Sequence, residues 1–327
     1  MQKSWFPAAL LAMLAASLPG AAFAQDSGAP PLDESEPFGI EVQGERWLEP
    51  DEVLASLRKL TAPDRRSRAL PRFYSPFCPR VAGVDKAVAQ TMEQRIRENA
   101  KFAGLFTEPK RCRLNAFVIV LEQPLKMFDR LRNRRPGLLG SNAYRDKHVR
   151  TIRLDLMAGK PVVAWNQVSM GWPGIDMATP DFNLSAQYSV FGYGVGPSRA
   201  NFSFANTPWG VGQAPLMKDI AVVLLDKNQL GGFDVTQIAD FASLYLIGVP
   251  RRDIDFTGVS APTMLKMFED GPENAPRSLT EFDRAYLKGI SALDRNTWGD
   301  RIGTKVVAVY RQECARPGGR CDREAQD

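Results

Sequence analysis

Ile220-Ala221-Val222-Val223-Leu224-Leu225-Asp226, followed by the Gly231-Gly232 turn and the apolar run from Val235 to Gly248, is the stretch on which the fold turns. A short unbroken apolar run that ends in an acid reads as a strand covered on both faces. The next run carries Ala239, Phe241, Ala242, Leu244, Tyr245, Leu246 and Ile247 with almost no polar side, so it reads as a helix packed all round. A buried strand feeding a buried helix implies an α/β arrangement.

Upstream the pattern repeats. Asp85 reads as an N-cap, and Val88, Met92, Ile96, Ala100 and Ala103 follow at helical spacing, with Glu93, Arg95, Arg97 and Glu98 on the other side. Asn115 to Glu122 (NAFVIVLE) reads as a second buried strand. Leu125 to Arg134 reads as a short basic helix stopped by Pro136 and Gly137. Further strands are expected at Arg72–Cys78 (an edge, because of Pro76), at Thr151–Leu156 by strict alternation, and at Pro161–Ser169. Downstream, helices are expected at Pro262–Glu269 and Leu279–Ala292, the latter with Thr280 as N-cap, and a last strand at Thr304–Tyr310. The expected fold is therefore α/β (α+β), a central mixed sheet covered by helices, interrupted from Gly171 to Gly212 by a long irregular aromatic-rich insertion with at most one strand, at Ala186–Phe191.

Composition narrows the classes. Among 327 residues, 44% are hydrophobic and 24% charged, which excludes a wholly disordered chain and a collagen. The net charge of +5 is too thin to imply nucleic acid. One histidine, His148, excludes a zinc site built from several histidines and leaves a Ser–His–Asp triad no other base.

The N-terminus reads as a secretory signal peptide over residues 1–24: Lys3, an apolar stretch from Phe6 to Leu18, and the small-x-small site Ala22-Phe23-Ala24. Residues 25–45 read as a flexible leader, 46–312 as one domain and 313–327 as a disulfide-closed tail, with no integral membrane span once the signal is cleaved. Cleavage removes Lys3 and no acid, leaving +4. The expected location is periplasmic or secreted. Four cysteines in an oxidising compartment allow three pairings. The favoured ones are Cys78–Cys112, flanking one helix, and Cys314–Cys321, closing the Pro317-Gly318-Gly319 turn.

Chemistry-bearing groups are few. Asp240 interrupts the most apolar helix, and a buried carboxylate must be paired, hydrogen-bonded or protonated, with Arg251 or Arg252 as expected partners. Ser243 lies one turn from it. Trp172, Tyr188, Tyr193 and Trp209 in the irregular stretch are candidates to line a peptide or glycan groove. Gly192, Gly194 and Gly196 lack the following helix that a phosphate loop requires. Arg130, Arg132, Arg134 and Arg135, with Lys126 and Lys147, form the one strong charge cluster, read as a solvated helix end or a contact for anionic lipid or polysaccharide.

The order strand, long helix, buried strand, further strands, strand, buried helix and C-terminal helix resembles metzincin-like zinc peptidases, and the chain also looks like a group of uncharacterised exported bacterial proteins. Laid on the family's HExxHxxGxxH helix, Ala239, Ser243 and Val249 stand where the zinc-binding histidines would be, and Asp240 where the glutamate would be. Ser260-Ala261-Pro262-Thr263-Met264 is similar to the Met-turn, and Leu279-Thr280-Glu281-Phe282-Asp283 to the closing helix. The resemblance implies a zincin-like fold without its metal. The expected function is an exported non-catalytic binding or scaffold protein of the cell envelope, with an envelope protein, peptide or glycan as partner and no cofactor. The alternative is a zinc-independent hydrolase using carboxylates such as Asp240.

Overall fold

A computed structural model of the chain describes residues 45–61, 70–107, 112–134, 139, 147–170, 216–293, 301–316 and 321–322. The segments expected to carry Trp172, Tyr188, Tyr193, Trp209 and the Gly192–Gly196 turn, as well as residues 1–44, lie outside the described residues.

At the centre is a mixed sheet of β2 (Pro79–Ala82), β3 (Ala116–Leu121), β5 (Leu216–Asp226) and β4 (Val162–Met170), in that order across the sheet. β2, β3 and β5 run parallel, and β4 is antiparallel to β5 at one edge. The two apolar runs thus become neighbours, with Phe117 opposite Val222 and Val118 opposite Val223. A small second sheet pairs β1 (Glu45–Arg46) with β6 (Cys321–Asp322). Residues 44–327 form one compact unit.

Two helix pairs cover the sheet. α2 (Lys86–Phe102) packs on α5 (Val235–Ile247), and α3 (Pro124–Arg134) on α4 (Lys147–Met157). Phe128 of α3 meets Trp165 of β4 edge-on at 6.2 Å. Trp165 stands beside Val222 and Phe117 across the strands, so this is the face that α3 covers. The opposite face, where Val118, Ala221 and Val223 are fully buried, is left to α2 and α5. α1 (Pro50–Leu60), α6 (Met267–Asn274), α7 (Glu281–Ser291) and α8 (Ile302–Ala315) complete the chain, with α8 packed on both α7 and α1.

Three expected strands are different. Thr151–Leu156 is part of helix α4: beneath the alternation of Ile152, Leu154 and Leu156 lies a helical set, Val149, Ile152 and Leu156, which is buried while Leu154 is 60% exposed. Thr304–Tyr310 is part of α8, because Val306, Val309, Tyr310 and Glu313 recur on one buried side and packing overrides the β preference of the valines. The strand expected at Arg72–Cys78 does not form: Arg72 makes only an isolated bridge to Met217, and β2 starts beyond that stretch, at Pro79. Both favoured disulfides, Cys78–Cys112 and Cys314–Cys321, are present. The second ties the end of α8 to β6. Among the described residues no helix is long and apolar enough to cross a membrane.

Candidate functional site

The helix that the sequence singled out starts with a reciprocal cap: the Gln237 amide donates to Asp234 Oδ1 at 2.8 Å, and the Asp234 amide to Gln237 Oε1 at 3.0 Å. One turn on, Asp240 is completely buried. Its partner is neither Arg251 nor Arg252. Arg95 of α2 forks onto it, Nε to Oδ1 and Nη2 to Oδ2, both at 2.7 Å. Asn99 Nδ2 donates to Oδ1 at 2.7 Å, and the Leu279 amide to Oδ2 at 2.9 Å. These four donors fill the roughly four acceptor positions of a carboxylate. The pairing in turn holds the Arg95 guanidinium above its ordinary pKa.

Ser243 belongs to the same network. Its hydroxyl donates to Ala239 O at 2.8 Å and accepts from Asn99 Nδ2 at 2.9 Å. Ala239, Asp240, Ser243 and Val249, the four positions aligned with the zinc-site residues, are all fully buried. Sequence reading missed Arg95 and Asn99. It assigned Arg95 to the solvent side, yet the two lie one turn apart on α2 and both turn toward α5. Glu93, also assigned outward, is 9% exposed and accepts from the Val81 amide at 3.0 Å.

The turn similar to a Met-turn is pinned beneath α7. Thr263 Oγ1 and the Met264 amide donate to the Asp283 carboxylate at 2.5 and 2.8 Å, and Thr280 Oγ1 donates to Pro262 O at 2.8 Å. Asp283 also closes the cap of α7, its amide donating to Thr280 Oγ1 at 3.0 Å. Burial pushes its carboxyl up to about 6, against the pull of these donors.

Lys218 closes the other end of α5. Asp219 is the extra residue where the β4–β5 register shifts, and it re-aims the side chain before it. Lys218 Nζ donates to Leu246 O, Ile247 O and Gly248 O at 2.9, 3.0 and 2.7 Å, three carbonyls that the last helical turn leaves without helix partners. Burial lowers the ammonium to about 7. Just beyond, the Val249 amide donates to the Tyr286 hydroxyl at 2.9 Å.

Where β4 begins, Asp155, Lys160, Val162, Val163, Tyr245 and Arg252 line a pocket of about 80 Å³. Arg252 forks onto Asp155, Lys160 reaches Asp155 at 3.1 Å and also pairs with Asp253, and Arg252 lies 3.4 Å from Asp253. Two cations and two carboxylates thus neutralise one another. The volume is far below the roughly 300–1,000 Å³ of small-molecule sites. His148 is engaged too, its Nε2 at 2.7 Å from Leu139 O. Among the described residues no three His, Cys, Asp or Glu side chains gather as a metal site.

No protein-family model, no curated protein and no solved structure matches this chain.

Proposed function

We propose that the chain is an exported, non-catalytic binding or scaffold protein of the cell envelope, built on a zincin-like framework that has become core. The observation that carries this reading is the saturation of Asp240. A general base or nucleophile must keep a lone pair for substrate, and Arg95, Asn99 and Leu279 occupy all of them. The buried strand β5 followed by the buried helix α5 supports the zincin-like reading, while α3 and α4 stand where the resemblance expects a further strand. The paired cysteines suit an oxidising compartment.

The test is to express the whole chain, recover it from the envelope fraction, and sequence its N-terminus. Gln25 is expected as the first residue. The recovered protein, and Asp240→Asn beside it, are then incubated with peptide and glycan libraries while bound zinc is measured. No turnover and no stoichiometric zinc are expected. Hydrolysis by the parent that Asp240→Asn abolishes at a temperature where both remain folded would overturn the reading.

A further inference from the structure

The outward side of α3 and α4 has a composition that its fold does not require. On α4, Lys147, Arg150, Leu154 and Met157 are exposed at successive turns, in one stripe. On α3, Lys126, Met127, Arg130 and Arg134 are exposed in the same way. Leu154 and Met157 are 60% and 57% exposed and Met127 36%, three of the large apolar side chains that the described surface leaves in water.

The acids of these helices are already engaged. Asp129 accepts from Arg153 at 3.0 Å and lies 3.6 Å from Arg132, while Asp155 is buried against Arg252 and Lys160. Lys126, Arg130, Arg134, Lys147 and Arg150 therefore form no ion pair among the described residues. The Arg153–Asp129 bond marks the seam between the helices, and Met157 sits on it, its sulfur 3.0 Å from Arg153 Nη1. Five uncompensated cations thus flank a seam that carries apolar side chains.

We propose that this α3–α4 face docks onto an anionic lipid surface. The cations meet headgroup phosphates while Leu154, Met157 and Met127 enter the interfacial layer. A soluble polyanion would satisfy the cations alone and gives the apolar side chains nothing. Long Lys and Arg stems around small apolar tips instead suit a fluid plane of headgroups. The inference goes beyond the non-catalytic reading and does not depend on it.

The test is co-flotation of residues 25–327, which retain the compact unit 44–327 whole, with vesicles of equal parts phosphatidylglycerol and phosphatidylcholine. Vesicles of phosphatidylcholine alone and soluble heparin serve as comparisons. Binding to the anionic vesicles is expected, weakening with added salt. The triple variant Lys126→Gln, Arg130→Gln, Arg150→Gln should lose about a hundredfold in affinity, at about fivefold for each charge removed. Leu154→Ser with Met157→Ser should lose about tenfold on vesicles and nothing on heparin. All five positions are exposed, and thermal melting verifies that the variants stay folded. Failure to bind anionic vesicles, equal binding to phosphatidylcholine, or vesicle binding indifferent to Leu154→Ser with Met157→Ser would each overturn the proposal. The last outcome would assign the face to a soluble polyanion.

Discussion

Two buried residues, Lys218 at the end of α5 and Asp283 in the cap of α7, show why burial alone does not make a catalytic group. Lys218 and Asp283 are both ionisable and both fully enclosed, yet each is spent on backbone groups that the fold leaves unpaired. Their shifted pKa values make opposite contributions to stability. Lys218 has a native pKa of about 7 against 10.5 for the free group, so the unfolded chain binds more protons between these values. Its contribution rises as the pH climbs through that window and is lost as the pH falls toward 7. Asp283, at about 6 against 3.8, holds its proton longer in the folded chain, so its contribution is present below about pH 4 and is lost as the pH rises through 6. Denaturant titrations across pH should therefore show that Lys218→Met flattens the slope between pH 7 and 10, and Asp283→Asn the slope between pH 4 and 6. Near pH 10, where the Lys218 contribution is complete, Lys218→Met should also cost about 2–4 kcal/mol, because buried carbonyls at the end of α5 lose their donor. Slopes identical to the parent's would contradict these assignments.

Among elements, α7 and α8 meet in a close fit. A Cβ placed on Gly289 would lie 2.6 Å from Val306 Cγ2 and 3.1 Å from its Cα. The backbone of α8 cannot yield as a flexible side chain would. Gly289→Ala should therefore lower stability by about 1–3 kcal/mol despite alanine's better helix propensity. Urea unfolding midpoints measure it, and an unchanged or higher midpoint would show that the helices part at little cost. The same contact explains why Thr304–Tyr310 was misread. Its valines favour a strand in isolation, and only the presence of α7 and α1 makes the 3.6-residue period the one that is buried. Thr151–Leu156 has a similar ambiguity, since Ile152 and Leu156 fit either period and Val149 decides it only once α3 lies alongside. The elements that the sequence placed well, β3, β5, α2, α5 and α7, each carry an unambiguous signal: an unbroken apolar run, a long amphipathic pattern, or a cap followed by an acid.

At the scale of the whole molecule, one disulfide closes a loop at the edge of the central sheet and the other ties the end of α8 to β6. Cys78–Cys112 spans 34 positions and closes a loop containing β2 and α2, the helix that supplies Arg95 and Asn99. In the chain-entropy model such a loop contributes about 3–4 kcal/mol. Cys78→Ser with Cys112→Ser should thus lower unfolding free energy by about that amount, read from denaturant titration. The shorter Cys314–Cys321 loop, spanning 7 positions, should matter less. No loss from the first pair would show that α2 gains nothing from its tether, and equal losses would contradict the loop-length ordering.

By itself the sequence determined the α/β class, the two central strands and the buried helix between its caps, because each is written in local periodicity or capping residues, and it favoured one of three cysteine pairings, which the structure then fixed. It also flagged Asp240 as anomalous, since a charge in an apolar helix demands a partner. It did not determine that partner, which comes from a helix about 145 positions earlier in the chain. Nor did it determine that every lone pair of the carboxylate is taken, or that Lys218 reaches the end of α5. These were decided only by the tertiary structure, because hydrogen-bond saturation depends on which distant donors packing brings within about 3 Å, and no local pattern encodes that distance.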